Sequence, residues 1–356
     1  METKSKYKII AKRLRAELVQ MQPGHVIETE VAIAKRFKVN VHTARQSLAT
    51  LVEEGLIHRS RGRGTVTADP LSTGHIAVVL CPGLLGADAS PFYAKTISSL
   101  TSQFHEIHPR VRLKLHLGRN ADSAEAYART LDLLEPQVLR DLRGVFTFHP
   151  LYKTRDNLHQ AGVPVVSIGV RSQSERFRVG FDNHGMIELA VARLVQASCH
   201  RIGMIWSHDN HAPFQDALEY RAMVQALTAA GLTVEPSLMQ PYLGAAGEQS
   251  GYQTMCKVWS QNEHPDGLIV ADDILCWGVL RAATQLGISL PNDLRLVSYA
   301  NRGVSFPYDK PLTRVEFDAV ELAKRAVRMM IDLSRRQSPS EQAVLLKGEL
   351  VEGATT

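Results

Sequence analysis

The stretch IETEVAIAKRFKVNVHTARQSLATLVEEGLIHRSRGRGTVTA, Ile27 to Ala68, decides how the N-terminal part of this chain folds. Thr29 is a good N-cap for a short helix running to Phe37, with Val31, Ile33, Ala34 and Phe37 available to a core. Asn40 caps the next helix, which carries Ala44, Leu48, Leu51 and Val52 on one face until Gly55 stops it. Two short extended pieces follow, Leu56 to Ser60 and Thr65 to Ala68, joined by Arg61-Gly62-Arg63-Gly64. Upstream, Tyr7, Ile10, Ala11, Leu14, Leu18 and Met21 have the three-and-four spacing of an amphipathic helix from about Ser5 to Met21, and Pro23-Gly24 ends it. Three helices and a two-stranded ribbon make a winged helix-turn-helix over residues 1–68.

Charge marks the same unit. Of the 41 Lys+Arg and 36 Asp+Glu in the 356-residue chain, residues 1–69 hold 13 and 7, a balance of +6; the other 287 residues hold 28 and 29, a balance of −1. A compact basic module on a near-neutral body predicts a polyanionic partner for the module and a different task for the body.

Asp69 to Gly74 reads as a linker, because Pro, Ser and Gly cluster there. Beyond it, strand-like runs alternate with helical stretches: IAVVL (Ile76 to Leu80), VRLKLHL (Val111 to Leu117), GVFTF (Gly144 to Phe148), VPVVSIG (Val163 to Gly169), RIGMIW (Arg201 to Trp206), DGLIVA (Asp266 to Ala271) and LRLVSYA (Leu294 to Ala300). That alternation indicates parallel sheets covered by helices. About 280 residues of it exceed one doubly wound sheet, so two lobes with a cleft between them are expected over 75–356. Lobe 1 is placed at about 75–182 and 301–335, and lobe 2 at about 183–300 and 336–356.

Composition excludes several classes. At 44% hydrophobic and 22% charged, the chain is neither disordered nor membrane-spanning, and the basic, helical start lacks a signal peptide's apolar block, which predicts a cytoplasmic protein. Cys81, Cys199, Cys256 and Cys276 are scattered, and His105/His108 lack an acidic partner motif, so neither a disulfide framework nor a metal site is expected. No GxSxG, P-loop or HExxH is present, so no catalytic residue and no cofactor is assigned.

The Ile27–Ala68 stretch resembles the DNA-binding domain of the GntR family of bacterial transcription regulators. The likeness is carried by Thr29, Glu30, Ile33 and Ala34, by Val39, Thr43, Arg45 and Leu48, by Leu51, Gly55 and Leu56, and by the wing Arg61 to Thr65. A helix fits the major groove and its first residues reach base edges, so Asn40, Val41, His42, Thr43 and Arg45 are the candidate readers. Arg61 and Arg63 can meet phosphates or enter a minor groove, with Gly62 allowing close backbone approach; Lys35, Arg36 and Lys38 add non-specific attraction. Many relatives carry Arg or Lys at the position of Val41, where this chain can offer only an apolar contact.

Residues 75–356 are similar to the effector-binding domain of the LacI/GalR family, itself related to periplasmic sugar-binding proteins. The carrying pieces are PFYAKTISSL (Pro91 to Leu100), VGFDNHGMIELAVARLV (Val179 to Val195), HRIGMI (His200 to Ile205), the pattern Asp273, Gly278, Ala282 followed by Gly287 to Asp293, and KPLTRVEFD (Lys310 to Asp318). The resemblance implies a homodimer on a palindromic operator, with a small-molecule effector, a sugar or sugar derivative, in the cleft at the carboxyl ends of the strands. It assigns Phe92, Tyr93, Asp182, Asn183, Asp273 and Trp277 to that cleft; Asp182-Asn183 read equally well as a helix cap, and Trp277 also suits a core. Two departures bear on the effector. Glu219 stands where the family's ligand-binding Arg is expected, with Arg221 about 200° further round the helix, and Ala300 replaces an Asp, leaving Asn301 alone. A ligand other than a neutral sugar therefore stays open. The expected function is a ligand-responsive transcription regulator, a repressor; a solute-binding protein and an enzyme on the α/β body are the alternatives.

Overall fold

The computed structural model describes residues 6–18, 21–69, 71, 74–86, 89–109, 111–118, 124–169, 175–208, 213–243, 247–261 and 263–356. Pro70, Ser72 and Thr73 of the expected linker, and Ser5, Val19 and Gln20 of the first expected helix, lie outside the described residues.

The N-terminal unit consists of α1 (Lys6–Leu18), α2 (Glu30–Phe37), α3 (Val41–Glu53), β1 (Ile57–Ser60) and β2 (Gly64–Thr67). Both caps form: Thr29 Oγ1 accepts from Ala32 N at 3.2 Å and Asn40 Oδ1 from Thr43 N at 2.7 Å. Ile10, Ala11, Leu14, Ile33, Ala34, Ala44, Leu48, Leu51 and Ile57 make one small core. Val31 and Val52, expected in it, are 66% and 42% exposed. The helices use a narrower apolar stripe than their sequence offers, because only three short helices and a ribbon are there to cover it. Strands β1 and β2 pair antiparallel from Ile57↔Thr67 to Ser60↔Gly64, and Gly24 to Ile27 adds a third, irregular line of hydrogen bonds along β2.

The body holds two six-stranded sheets. The first, in the order β4-β3-β5-β6-β7-β13, contains β3 (His75–Val79), β4 (Arg112–His116), β5 (Leu142–Thr147), β6 (Val165–Ile168), β7 (Arg178–Phe181) and β13 (Ala343–Leu346), all parallel. On one face pack α4 (Pro91–Ile107) and α12 (Ala319–Ser334); α5 (Ala124–Arg129), α6 (Pro136–Asp141) and α7 (Tyr152–Gln160) accompany the other face. The second sheet, in the order β9-β8-β10-β11-β12-β14, contains β8 (Ile202–His208), β9 (Met239–Leu243), β10 (Gly267–Val270), β11 (Arg295–Asn301), β12 (Thr313–Phe317) and β14 (Glu349–Val351), of which only β14 runs antiparallel to its neighbour. Its helices are α8 (Asn183–Gln196), α9 (Leu218–Ala229), α10 (Glu248–Trp259) and α11 (Asp273–Leu286).

All seven strand-like runs are strands; five further strands were not legible as such. Two lobe limits need correction. Thr313–Phe317 pairs in parallel with Val297–Asn301, so the chain stays in the second sheet past 301 and returns to the first only with α12. Ala343–Leu346 pairs with Arg178–Phe181 in the first sheet, so the final crossing falls between β13 and β14 rather than at 336. Both errors have one cause: parallel partners are chosen by contacts remote in sequence, which local periodicity does not record.

The linker is anchored. Leu71 is buried in the first lobe's core beside Leu100, Phe104 and Met330, its N–H donates to Asp69 Oδ1 at 3.0 Å, and Asp69 Oδ2 pairs with Arg335 at 2.8 Å. Arg335 also lies 3.2 Å from His108 Nε2, and Gln337 donates to Gln22 Oε1 at 3.1 Å. The C-terminal ends of α4 and α12 thus hold the segment that leads to the winged helix.

Candidate nucleic-acid interface and effector cleft

On the winged helix, Lys35, Asn40, Val41, His42 and Arg45 are exposed, and Thr43 is half-buried with its backbone used by the cap. In the turn between β1 and β2, Arg61, Gly62 and Arg63 are exposed. Gly62 and Gly64 have φ of 79° and 86°, a left-handed conformation that side chains with a Cβ rarely adopt, and nothing lies within 4 Å of a Cβ built on either. The tight turn therefore presents both arginines outward on a hairpin whose tip is bare backbone. Arg36 is different: it pairs with Glu17 at 2.9 Å and Glu28 at 3.0 Å, which leaves it less free to attract DNA.

Sequence reasoning missed two residues here. Arg59 is 73% exposed on β1, and Glu30 accepts from Arg45 Nε at 2.9 Å and from Arg59 Nη2 at 3.0 Å. The signal for Arg59 was the run Arg59, Arg61, Arg63 at every second residue of a ribbon. Replacing Arg61 and Arg63 together by Ala should lower the slope of log affinity against log salt by about 1.8, from two lost phosphate neutralisations, across unrelated DNA sequences. A salt titration of binding reads this directly; an unchanged slope would make the turn a passive hairpin.

The cleft residues sit at the carboxyl ends of the strands and on the helices that follow them. Phe92 lies in the first turn of α4, after the Ser90 cap, and packs edge-on against Tyr93, Phe148, Phe181 and Phe317, with centroids 5.2 to 6.3 Å away. Phe181 and Phe317 end the strands from which the chain passes between lobes, so Phe92 seats on two of the crossings. Asp182 takes the capping role, accepting from Gly185 N at 3.0 Å. Its neighbour Asn183 donates to Glu219 Oε1 at 3.3 Å, and Glu219, 4% exposed, is buried in the first turn of α9. Arg221 is exposed, on a regular helix, and does not take the place of Glu219.

Asp273 is 3% exposed at the start of α11, while Asp272 does the capping, accepting from Ile274 N and Leu275 N. Burial pushes the Asp273 carboxyl above its ordinary range, and the Ser90 hydroxyl from the other lobe pulls it part of the way back. Asp273 Oδ2, the indole N–H of Trp277 one turn on, and Asn301 Nδ2 are buried without a hydrogen-bond partner among the described residues. Asn301 is not wholly available, since its Oδ1 accepts from Ala319 N at 3.1 Å and so fixes the start of α12. Lys95 of α4 donates to the Arg302 carbonyl, a second tie between lobes, and Arg302 in turn pairs with Asp318 at 3.0 Å and Glu349 at 2.6 Å. Neither Ser90 nor Lys95 was anticipated; the Ser-Pro start of α4 was the available signal.

A separate concavity of about 630 Å³ is lined by Arg201, Trp259, Glu263, His264, Pro265, Asp266 and Asp293. It lies at the amino ends of β8, β10 and β11, opposite the cleft, and Arg201 is committed to Glu235 at 2.6 Å and Glu263 at 3.1 Å. Among the described residues no group of three or more His, Cys, Asp or Glu could hold a metal ion, no helix is long and apolar enough to cross a membrane, and all four cysteines are free thiols.

Comparison with known proteins agrees with the two-part fold. Residues 6–66 match the bacterial regulatory proteins of the gntR family, and residues 191–356 match the periplasmic binding protein-like domain. Over 99% of its length the chain is 22% identical to the arabinose metabolism transcriptional repressor of Halalkalibacterium halodurans, covering 96% of that protein. Among solved structures, the lac repressor dimer bound to operator and the anti-inducer ONPF is 20% identical, with a TM-score of 0.66 over 80% of this chain and 94% of that one. The transcriptional regulator CelR in complex with cellobiose is 21% identical, with a TM-score of 0.65 over 90% of this chain and 92% of that one. The chain thus carries a gntR-family regulatory domain over residues 6–66 and a periplasmic binding protein-like domain over residues 191–356.

Proposed function

We propose that the protein is a cytoplasmic transcription repressor that binds a palindromic operator as a homodimer and responds to a small carbohydrate or carbohydrate derivative held between its lobes. The observation that carries the reading is the exposed set Asn40, Val41, His42, Arg45, Arg59, Arg61 and Arg63 on a basic module whose linker is pinned to the helices that begin at the cleft. A symmetric dimer would present two recognition helices at fixed spacing, which suits a palindrome. The relatives support the same roles: one carries the name of a repressor, one is a dimer on its operator, and one holds cellobiose. Both α4 and α12 run from the cleft to the linker, so a ligand that shifts Phe92, Ser90 or Asn301 acts on the helices that hold Asp69 and Leu71.

Retardation of fragments of genomic DNA tests the first half of the proposal, and a thermal-shift screen against sugars, sugar acids and nucleosides tests the second, because a ligand that binds only the folded cleft raises stability by mass action. Failure to retard any fragment would overturn DNA binding. Arg45→Ala should cost the selected operator about 1 to 3 kcal/mol of binding free energy while leaving the melting curve and the ligand shift intact. Equal operator affinity at matched salt would show that α3 does not read the groove.

A further inference from the structure

Glu30 is an acidic side chain within the basic face that would meet DNA. On such a face a carboxylate opposes phosphate and weakens general attraction to a polyanion. Its placement is specific nonetheless. Glu30 is the first residue of α2, directly after the Thr29 cap, where the helix's unpaired N–H groups favour a negative charge. Its side chain is only 23% exposed, against 60% for Arg45 and 73% for Arg59. One carboxylate oxygen takes Nε of Arg45 and the other takes Nη2 of Arg59. The recognition helix and the wing, 14 positions apart in sequence at these two residues, are therefore joined through a single group on the helix that precedes both.

Which nitrogen is used matters. A bond to Nε leaves both terminal nitrogens of Arg45 for a partner beyond the protein, and those two form the fork that fits O6 and N7 of guanine. A long, exposed arginine otherwise loses much rotamer freedom on binding, and a partner that fixes it in advance reduces that loss. Arg59, held by the same carboxylate, is set at a fixed distance from Arg45. We propose that Glu30 is a specificity-determining positioning residue of the DNA interface, holding Arg45 of the recognition helix and Arg59 of the wing in one register so that base contact and groove contact are made together. This inference rests on the reading of α3 and the wing as the DNA-binding face.

Two effects of opposite sign separate this role from a merely structural one. Neutralising Glu30 removes the register and also removes a charge that repels phosphate. Glu30→Gln and Glu30→Ala, made in the full-length protein, are to be titrated against an operator duplex selected from genomic fragments and against a shuffled duplex of equal length and composition, over a series of salt concentrations. Operator affinity should fall roughly five- to fiftyfold, the scale of one misread base pair. Affinity for the shuffled duplex should hold or rise, with an equal or steeper salt slope. In the Arg45→Ala background the same Glu30 substitutions should cost the operator much less, since the residue they position is gone. Parallel weakening on both duplexes, or an unchanged ratio of the two affinities, would overturn the proposal. Additive losses with Arg45→Ala would overturn it as well. If Glu30→Ala melts early, Glu30→Gln, which keeps length and an acceptor oxygen, decides the matter alone. A wild-type protein that discriminates no duplex would instead sink the DNA-binding reading on which this one stands.

Discussion

Gly278→Val should lower the melting temperature of the effector body by roughly 6 to 12 °C, corresponding to a loss of about 3 kcal/mol or more, and should abolish the ligand-induced shift. Gly278 lies in the middle of α11 with its Cα against the backbone of α10; a Cβ placed there would collide with the carbonyl oxygen of Glu248 and the N–H of Tyr252. The crossing is reciprocal, since a Cβ on Gly251 of α10 would strike the carbonyl of Leu275. Neither obstruction is the far end of a flexible side chain, so the helices must separate, and Met255, Val279 and Leu280 beneath them lose their packing. Gln285→Ala, on the exposed side of the same helix, should change stability by less than about 0.5 kcal/mol. Calorimetry of both variants checks the pair, and a wild-type melting profile for Gly278→Val would mean that α10 and α11 do not cross so closely.

That glycine also shows what was legible in the sequence and in what form. The spacing Asp273, Gly278, Ala282 was readable as a family pattern, but its glycine belongs to a helix crossing whose partner, α10, lies outside the pattern. Elements governed by local chemistry were readable: the Thr29 and Asn40 caps, the glycine-rich wing and the apolar strands all follow from neighbours a few residues away. What depended on remote partners was not. The strands of the lobe crossings were assigned to the wrong lobes or passed over. Glu30 was legible only as a motif letter, because its purpose lies in two arginines brought to it by folding. The linker's composition announced a break in periodicity, yet Leu71 inserts into a core and Asp69 finds Arg335, a residue 266 positions away. Composition reports flexibility of the isolated segment; it carries no information about the pocket that receives it.

Asp273 offers a test in which stability and function move in opposite directions. Its carboxyl is buried, and its folded pKa is raised, chiefly by burial. For an acid this means that the native state holds the proton more tightly than the unfolded chain does. The favourable contribution is therefore complete below the ordinary carboxylate value of about 3.9 and is lost as pH rises through the raised value. At neutral pH, well above that ordinary value, the raised pKa opposes folding. Asp273→Asn, nearly equal in volume, should accordingly melt higher than wild type at pH 7, and the difference should shrink as pH falls toward that ordinary value. If the same carboxylate accepts hydrogen bonds from an effector hydroxyl, Asp273→Asn and Asp273→Ala should each weaken the best ligand from the thermal-shift screen roughly ten- to a hundredfold, since a charge-assisted hydrogen bond contributes ~1.5 to 3 kcal/mol. DNA affinity without ligand should stay at the wild-type value, because the winged helix has its own core and its face is remote in sequence from α11. Isothermal titration at pH 7 and melting curves from pH 4 to 8 give both readouts. Unaltered ligand affinity in both variants would remove Asp273 from the site, whereas a lower melting temperature for Asp273→Asn at pH 7 would show that the buried charge is satisfied and that its burial is structural in purpose. A carboxylate kept at a cost to the fold, beside a hydroxyl from the opposite lobe and an indole N–H without a partner among the described residues, is the arrangement expected of a group held for a ligand.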